Sequence, residues 1–300
     1  MSMKDDRKAA NRKLQKREKG LKRQAEKVYG AAGKDLQGRI SGVLGPLADS
    51  DGKIEYRKLN EQADKAVQDQ VLSEAAELAV AHPELVTDKR SLSNADAIQG
   101  HCLISSAKAA DKAEDILRDH LLRTAMDELK LYAAKTGYDN FNIHDAGLEL
   151  AMRQWMTQGP WYKTLRSRGY ECAKKAGDEL VAGIAQGRTL QDLTEGICQR
   201  WQITQEFSVY RIAYTENTRI QGDAAAAAAE QMGITQYRLS TVGDGKVCET
   251  CQAISDQVFD FSDRAQGVNY PPLHPMCRCS VEYIIPDNFV ESYRGTGLLW

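Results

Sequence analysis

Apolar residues recur at helical spacing along most of the chain. Val71, Leu72, Ala75, Leu78 and Ala79 keep the three-and-four rhythm of one helix face. His82-Pro83 should end that helix, because the residue before a proline is held out of helical conformation. A second run from about 94 to 135 carries Ile116, Leu117, Leu121, Leu122, Met126, Leu129 and Leu131. A polar stretch, TGYDNFNIHD, follows, and helices are then predicted near 145–157, 160–187 and 189–201. Gly187 is placed as a helix C-cap and Thr189 as the next N-cap. Residues 204–232 read as one more helix, capped by Thr204, carrying the alanine run 224–229 and ended by Gly233. The rhythm then changes. Tyr237–Val242 alternates and is rich in strand formers, and Ser280–Ile285 reads similarly, so two short strands are predicted.

The N-terminal pattern differs. Residues 5–28 have no proline, one glycine and many good helix formers. Leu14, Leu21 and Val28 recur every seven residues, but Arg17 and Gln24 occupy the intervening positions, which weakens a coiled coil. A basic helix lying on DNA or on a partner protein fits as well. The segment 30–53 holds six glycines and one proline and predicts a linker or loop. Within it Asp49-Ser-Asp-Gly52 resembles part of a calcium loop. Leu47 and Lys58 would then hold the first and twelfth ligand positions, so calcium is rejected in favour of a turn. These patterns predict a mostly helical α+β protein: a basic helical arm (1–30), a helical region (31–150), and a last part (151–300) with a long helix and a small β-containing module.

Composition narrows the class. The chain has 300 residues, 42% hydrophobic and 27% charged, which suits a globular protein of about two domains. No apolar run approaches the roughly 18 residues of a membrane span. The charged start lacks the apolar core of a secretory signal, so a protein made and first used in a cytoplasm is expected. Residues 1–30 hold eleven Lys or Arg and four acids, a net of +7, so the other 270 residues carry −9. Arg7, Lys8, Arg12, Lys13, Lys16, Arg17, Lys19, Lys22 and Arg23 are therefore candidate nucleic-acid contacts. A solvated charged helix with no partner fits the same charge.

Seven cysteines are too sparse for a disulfide scaffold. Cys102, Cys172 and Cys198 are scattered in helical pattern and read as small buried apolar residues. The other four cluster. Cys248-x-x-Cys251 is followed after 22 residues by His274-Pro-Met-Cys277-Arg-Cys279. A Cys-x-x-Cys knuckle presents two thiolates to one ion, and two of the three downstream residues would complete a tetrahedron, which suits structural Zn²⁺. Two disulfides or reduced thiols in a small core remain open on the same residues. A catalytic zinc lacks its signatures, since neither His-Glu-x-x-His nor the deaminase His-x-Glu half is present. Glu216 and Asp244 are the candidate acids of an enzyme reading.

Together these strings carry a resemblance. Tyr214-Thr-Glu216-Asn-Thr-Arg219, then Gly233-Ile234, Asp244-x3-Cys248-x2-Cys251 and Pro271-Pro-x-His274-Pro-x-Cys277-Arg-Cys279 resemble the phage Mu protein F-like family of minor head proteins. The likeness covers roughly 160–286, includes Gly183–Leu190, and departs in the glycines that flank Asp244. It implies a non-enzymatic virion component inside the head near the portal vertex, with the portal protein and capsid or scaffold proteins as partners; viral DNA is the partner that the charge of the basic arm predicts. Fourteen residues follow Pro286, so no appended enzyme domain is expected. The rival readings are a zinc-dependent nucleic-acid-processing enzyme and a plain DNA-binding module built on the arm. Trp155, Trp161 and Tyr162 are read as core before contact residues, and Trp300 as a tail anchor.

Overall fold

The structure, a computed structural model, describes residues 3–136, 160–231, 234–241, 245 and 247–284. Its helices are α1 (Met3–Leu44), α2 (Lys65–Leu78), α3 (Asn94–Thr136), α4 (Pro160–Ala185), α5 (Leu190–Gln231) and the short α6 (Glu249–Ala253). Three strands follow α5: β1 (Gln236–Ser240), β2 (Val258–Asp260) and β3 (Ser280–Ile284). The mostly helical α+β class expected from the pattern is the one observed. No helix among the described residues is long and apolar enough to cross a membrane.

The chain forms two compact units. One takes residues 22–116 and 160–209; the other takes 1–21, 117–159 and 210–300. The first is helical. Ala25, Tyr29, Leu36, Ile40, Val43 and Leu44 of α1 are all buried. The Tyr29 ring meets Trp201 edge-on at 5.9 Å between centroids. The expected linker at 30–53 is corrected here, because α1 runs on to Leu44. Leu36, Ile40 and Leu44, spaced by four, are each 0% exposed. Their burial outweighs the roughly 1 kcal/mol that each helical glycine costs. Gly33 also has a use, since a Cβ there would lie 3.1 Å from Gln202 Oε1. The break falls later, at Gly45-Pro46 and the turn that follows. At that turn Asp49 Oδ1 accepts the N–H groups of Asp51 and Lys53, and Gly52 adopts φ 73°, so a turn is what this acidic string forms.

Asp64 caps α2 by accepting from Ala66 N–H at 2.8 Å. Val71 and Ala75 of α2 close a core with Leu85, Leu92, Ile104 and Ala107. The helix ends at Leu78, before His82-Pro83 as expected. Gly187 has φ 73° after α4, and Thr189 starts α5 by a reciprocal cap: Asp192 N–H donates to Thr189 Oγ1, which donates to Asp192 Oδ2. Thr204 is a second correction. It caps nothing, because its hydroxyl donates to Arg200 O inside a continuous α5. No glycine or proline lies between Trp201 and Thr204, and Trp201, Gln205, Ser208 and Val209 are all buried.

The other unit holds the module. Leu14 and Leu21 of α1, Leu117 and Leu121 of α3, and Ile212, Ala213 and Ile220 of α5 are buried. The sheet order is β2-β1-β3, both pairings antiparallel, with Tyr237 opposite Phe259 and Tyr283. β2 was not foreseen, since three residues are too few to show a period. In the central strand Tyr237 and Leu239 are fully buried while Gln236 and Arg238 are exposed, the alternation of a one-sided sheet. Tyr237 joins Ala226, Ala229, Ile234, Phe261 and Tyr270 in one cluster, and Leu239 joins Cys251, Cys277 and Cys279 in another. The small residues of α5 let the module approach closely: Tyr270 donates its hydroxyl to Gly222 O at 2.8 Å, and a Cβ on Gly222 would meet that ring at 3.2 Å.

Candidate metal centre

The Cys and His residues are assembled by two tight turns. Cys248 stands just before α6 and Cys251 lies in its first turn, with Gln252 N–H bonded back to Cys248 O at 3.0 Å. Glu249 and Thr250, the first residues of α6, separate the two thiols, so a single helical turn presents both. In the second turn Cys277 N–H donates to His274 O at 3.1 Å, with Met276 at φ 63°. That turn is tied to α5, because Met276 N–H donates to Thr215 Oγ1 at 3.1 Å. Thr215 belongs to the Tyr214–Arg219 string, and this contact is one reason for a hydroxyl there.

The donor atoms form two overlapping sets. Cys248, Cys251 and His274 make one, and Cys251, Cys277 and Cys279 the other; within each, the ligand atoms lie within 4.8 Å of one another. Cys251 belongs to both. His274 Nε2 is 3.2 Å from Cys248 Sγ and 3.2 Å from Cys251 Sγ. Its Nδ1 lies 2.9 Å from Pro275 O, a carbonyl that can only accept, so Nδ1 carries the proton and Nε2 offers a lone pair toward the thiols. Cys251, Cys277 and Cys279 are buried and Cys248 is exposed. Backbone N–H groups at the start of α6 lower the Cys248 thiol, whereas burial raises Cys251 and pushes Cys279 up to about 11. All seven cysteines are free thiols.

The donor set fits zinc. Tetrahedral Zn²⁺ with bonds of about 2.3 Å to sulfur and 2.0 Å to nitrogen spaces those ligands roughly 3.5 Å apart, close to the spacing around His274 Nε2. Thiols and imidazole are also the donors that zinc prefers, and no carboxylate enters either set. Glu216 stands apart on α5. It is 4% exposed, 3.2 Å from Arg219 Nε, and raised above its usual range by burial. Asp244 lies outside the described residues.

The basic arm is brought partly onto the fold. Lys13 Nζ lies 2.7 Å from Asp127 Oδ1, and Arg17 pairs with Asp127 Oδ2. Arg12, Lys16, Lys19, Lys22 and Arg23 are exposed. The side chains of Arg7 and Lys8 lie outside the description. Asp127 had no sequence signal, being one acid among many on a long helix. Trp161 is 1% exposed, a core residue, and the Arg166 guanidinium lies 4.5 Å above the Tyr162 ring. Trp155 and Trp300 lie outside the described residues.

The last part of the chain is thus a long helix carrying a small three-stranded module closed by a thiol–imidazole cluster. Residues 174–282 match the family model described as Phage Mu protein F like protein. The match runs from α4 into β3 and includes all five Cys and His residues. It supports the Mu protein F-like family for this stretch, and that family points to a phage head morphogenesis protein. No curated protein and no solved structure gives a match.

Proposed function

We propose that this protein is a non-enzymatic minor head protein of a phage, acting in capsid assembly and in DNA packaging and delivery near the portal vertex. The observation that carries the reading is the family match over 174–282, whose Cys and His residues converge on one spot. Its partners would be the portal protein, capsid or scaffold proteins, and viral DNA met by the basic arm. It would reside in the virion after synthesis in the host cytoplasm.

In this reading Cys248, Cys251 and two of His274, Cys277 and Cys279 supply the four ligands of one structural Zn²⁺. The ion would cross-link the start of α6 to the His274 turn and to the foot of β3. The chain's own residues do the positioning. Pro275 O holds the imidazole tautomer, and Thr215 holds the turn against α5. A module this small buries little apolar surface, so such a cross-link would contribute much of its stability.

Co-expression with portal and capsid proteins tests the assembly role. Capture by the portal, and altered composition or infectivity of particles assembled without this protein, are expected. Normal particles together with no capture would overturn the reading.

A further inference from the structure

The arm has faces that do different work, and the inference drawn from them rests on the reading that it meets DNA. On one flank Lys13 and Arg17, a turn apart, both end on Asp127. On the inner side Leu14, Leu21 and Ala25 are buried. At about 100° per residue, Arg12, Lys16, Lys19, Arg23 and Lys27 fall within an arc of about 80°, opposite those three apolar residues. All five are exposed. None forms an ion pair among the described residues, and no acid between 12 and 27 falls within the arc. Over this length, about 22 Å at 1.5 Å per residue, one cation stands every 5–6 Å or so.

We infer that this outward row, rather than the total charge of the arm, is the surface that contacts the phosphates of duplex DNA. Lys13 and Arg17 are committed to Asp127 and contribute little. The chemistry favours a phosphate backbone over an acidic protein surface. The row is long flexible cations with no aromatic or apolar anchor among them, and protein interfaces depend on such anchors. Single-stranded DNA is disfavoured because Tyr29, the first aromatic residue, is 1% exposed and cannot stack on bases. A row of cations along one helix face matches a charged duplex, which carries a phosphate every 3.4 Å or so along each strand.

The test compares two variants of the full chain with equal charge loss. Lys16→Gln/Lys19→Gln removes two cations from the row, and Lys13→Gln/Arg17→Gln removes two from the Asp127 clamp. Affinity for a mixed-sequence duplex is measured across a salt series. The row variant should make the slope of log K against log salt shallower by about 2, since each lost phosphate contact removes about 0.9. The clamp variant should leave the slope unchanged. If the clamp variant fails to fold by circular dichroism, Asp127→Asn decides instead, because freeing Lys13 and Arg17 should hold or steepen the slope. Equal slopes for the row and clamp variants, or a shallower slope for Asp127→Asn, would overturn the row while leaving DNA binding by the arm intact. A wild-type chain without salt-dependent duplex binding would overturn the DNA reading itself.

Discussion

Cys251 sits where two donor sets meet, so it should matter more than its neighbours. Cys248 can be lost from one set, whereas losing Cys251 depletes both. Cys251→Ser is therefore expected to abolish zinc in purified, reduced protein by elemental analysis, with Cys248→Ser retaining more of it. Thermal unfolding unchanged by a strong chelator would sink the zinc proposal itself. Two buried histidines make a second prediction at this scale. His101 and His120 are both pushed down to about 4, chiefly by burial. Their folded pKa lies below the unfolded value of about 6.5. The folded state therefore binds fewer protons, and the stability they contribute is complete above pH 6.5 or so. It drains away as pH falls from there toward 4. Urea unfolding at pH 7.5 and pH 5 should show the loss, and His101→Gln should reduce the difference between the two.

At the scale of elements, α1 and α5 carry the lesson about what sequence shows. Glycine content alone made 30–44 look like a loop, yet the i, i+4 spacing of Leu36, Ile40 and Leu44 was equally present in the sequence. Which signal wins is decided by whether those three side chains find a core, and they do. Gly38 and Gly42 are exposed, and a Cβ at either would meet nothing within 4 Å. Gly38→Ala and Gly42→Ala should each stabilise the protein by about 0.5–1 kcal/mol in denaturant unfolding. Leu36→Ala should cost about 2–5 kcal/mol. Silence in all three would mean that this stretch is not a packed helix. Thr204 shows the reverse case. A threonine is as content to bond back to an i−4 carbonyl as to cap, and only the buried face through Trp201 and Gln205 decided between them.

At the scale of the whole molecule, the residue types determined a good deal unaided. Helical periodicity in the described residues outside the glycine-rich stretch, the two principal strands and the reverse-turn caps at Gly187 and Thr189 follow from local sterics and the period of burial, while the helix expected near 145–157 lies outside the described residues. The soft donor set also follows from residue type, because thiols and imidazole spaced at Cys-x-x-Cys and His-x-x-Cys-x-Cys are donors that suit zinc. What only the tertiary structure decided are facts that join distant positions. The Asp127 clamp links residues 114 and 110 positions apart, and the tie from Thr215 to Met276 links residues 61 apart. The sharing of Cys251 between two donor sets depends on how the sheet seats Leu239 against the thiols. A local pattern records which face a residue presents along its own element. Which distant residue meets that face depends on how elements pack together, and no single stretch of chain carries that information.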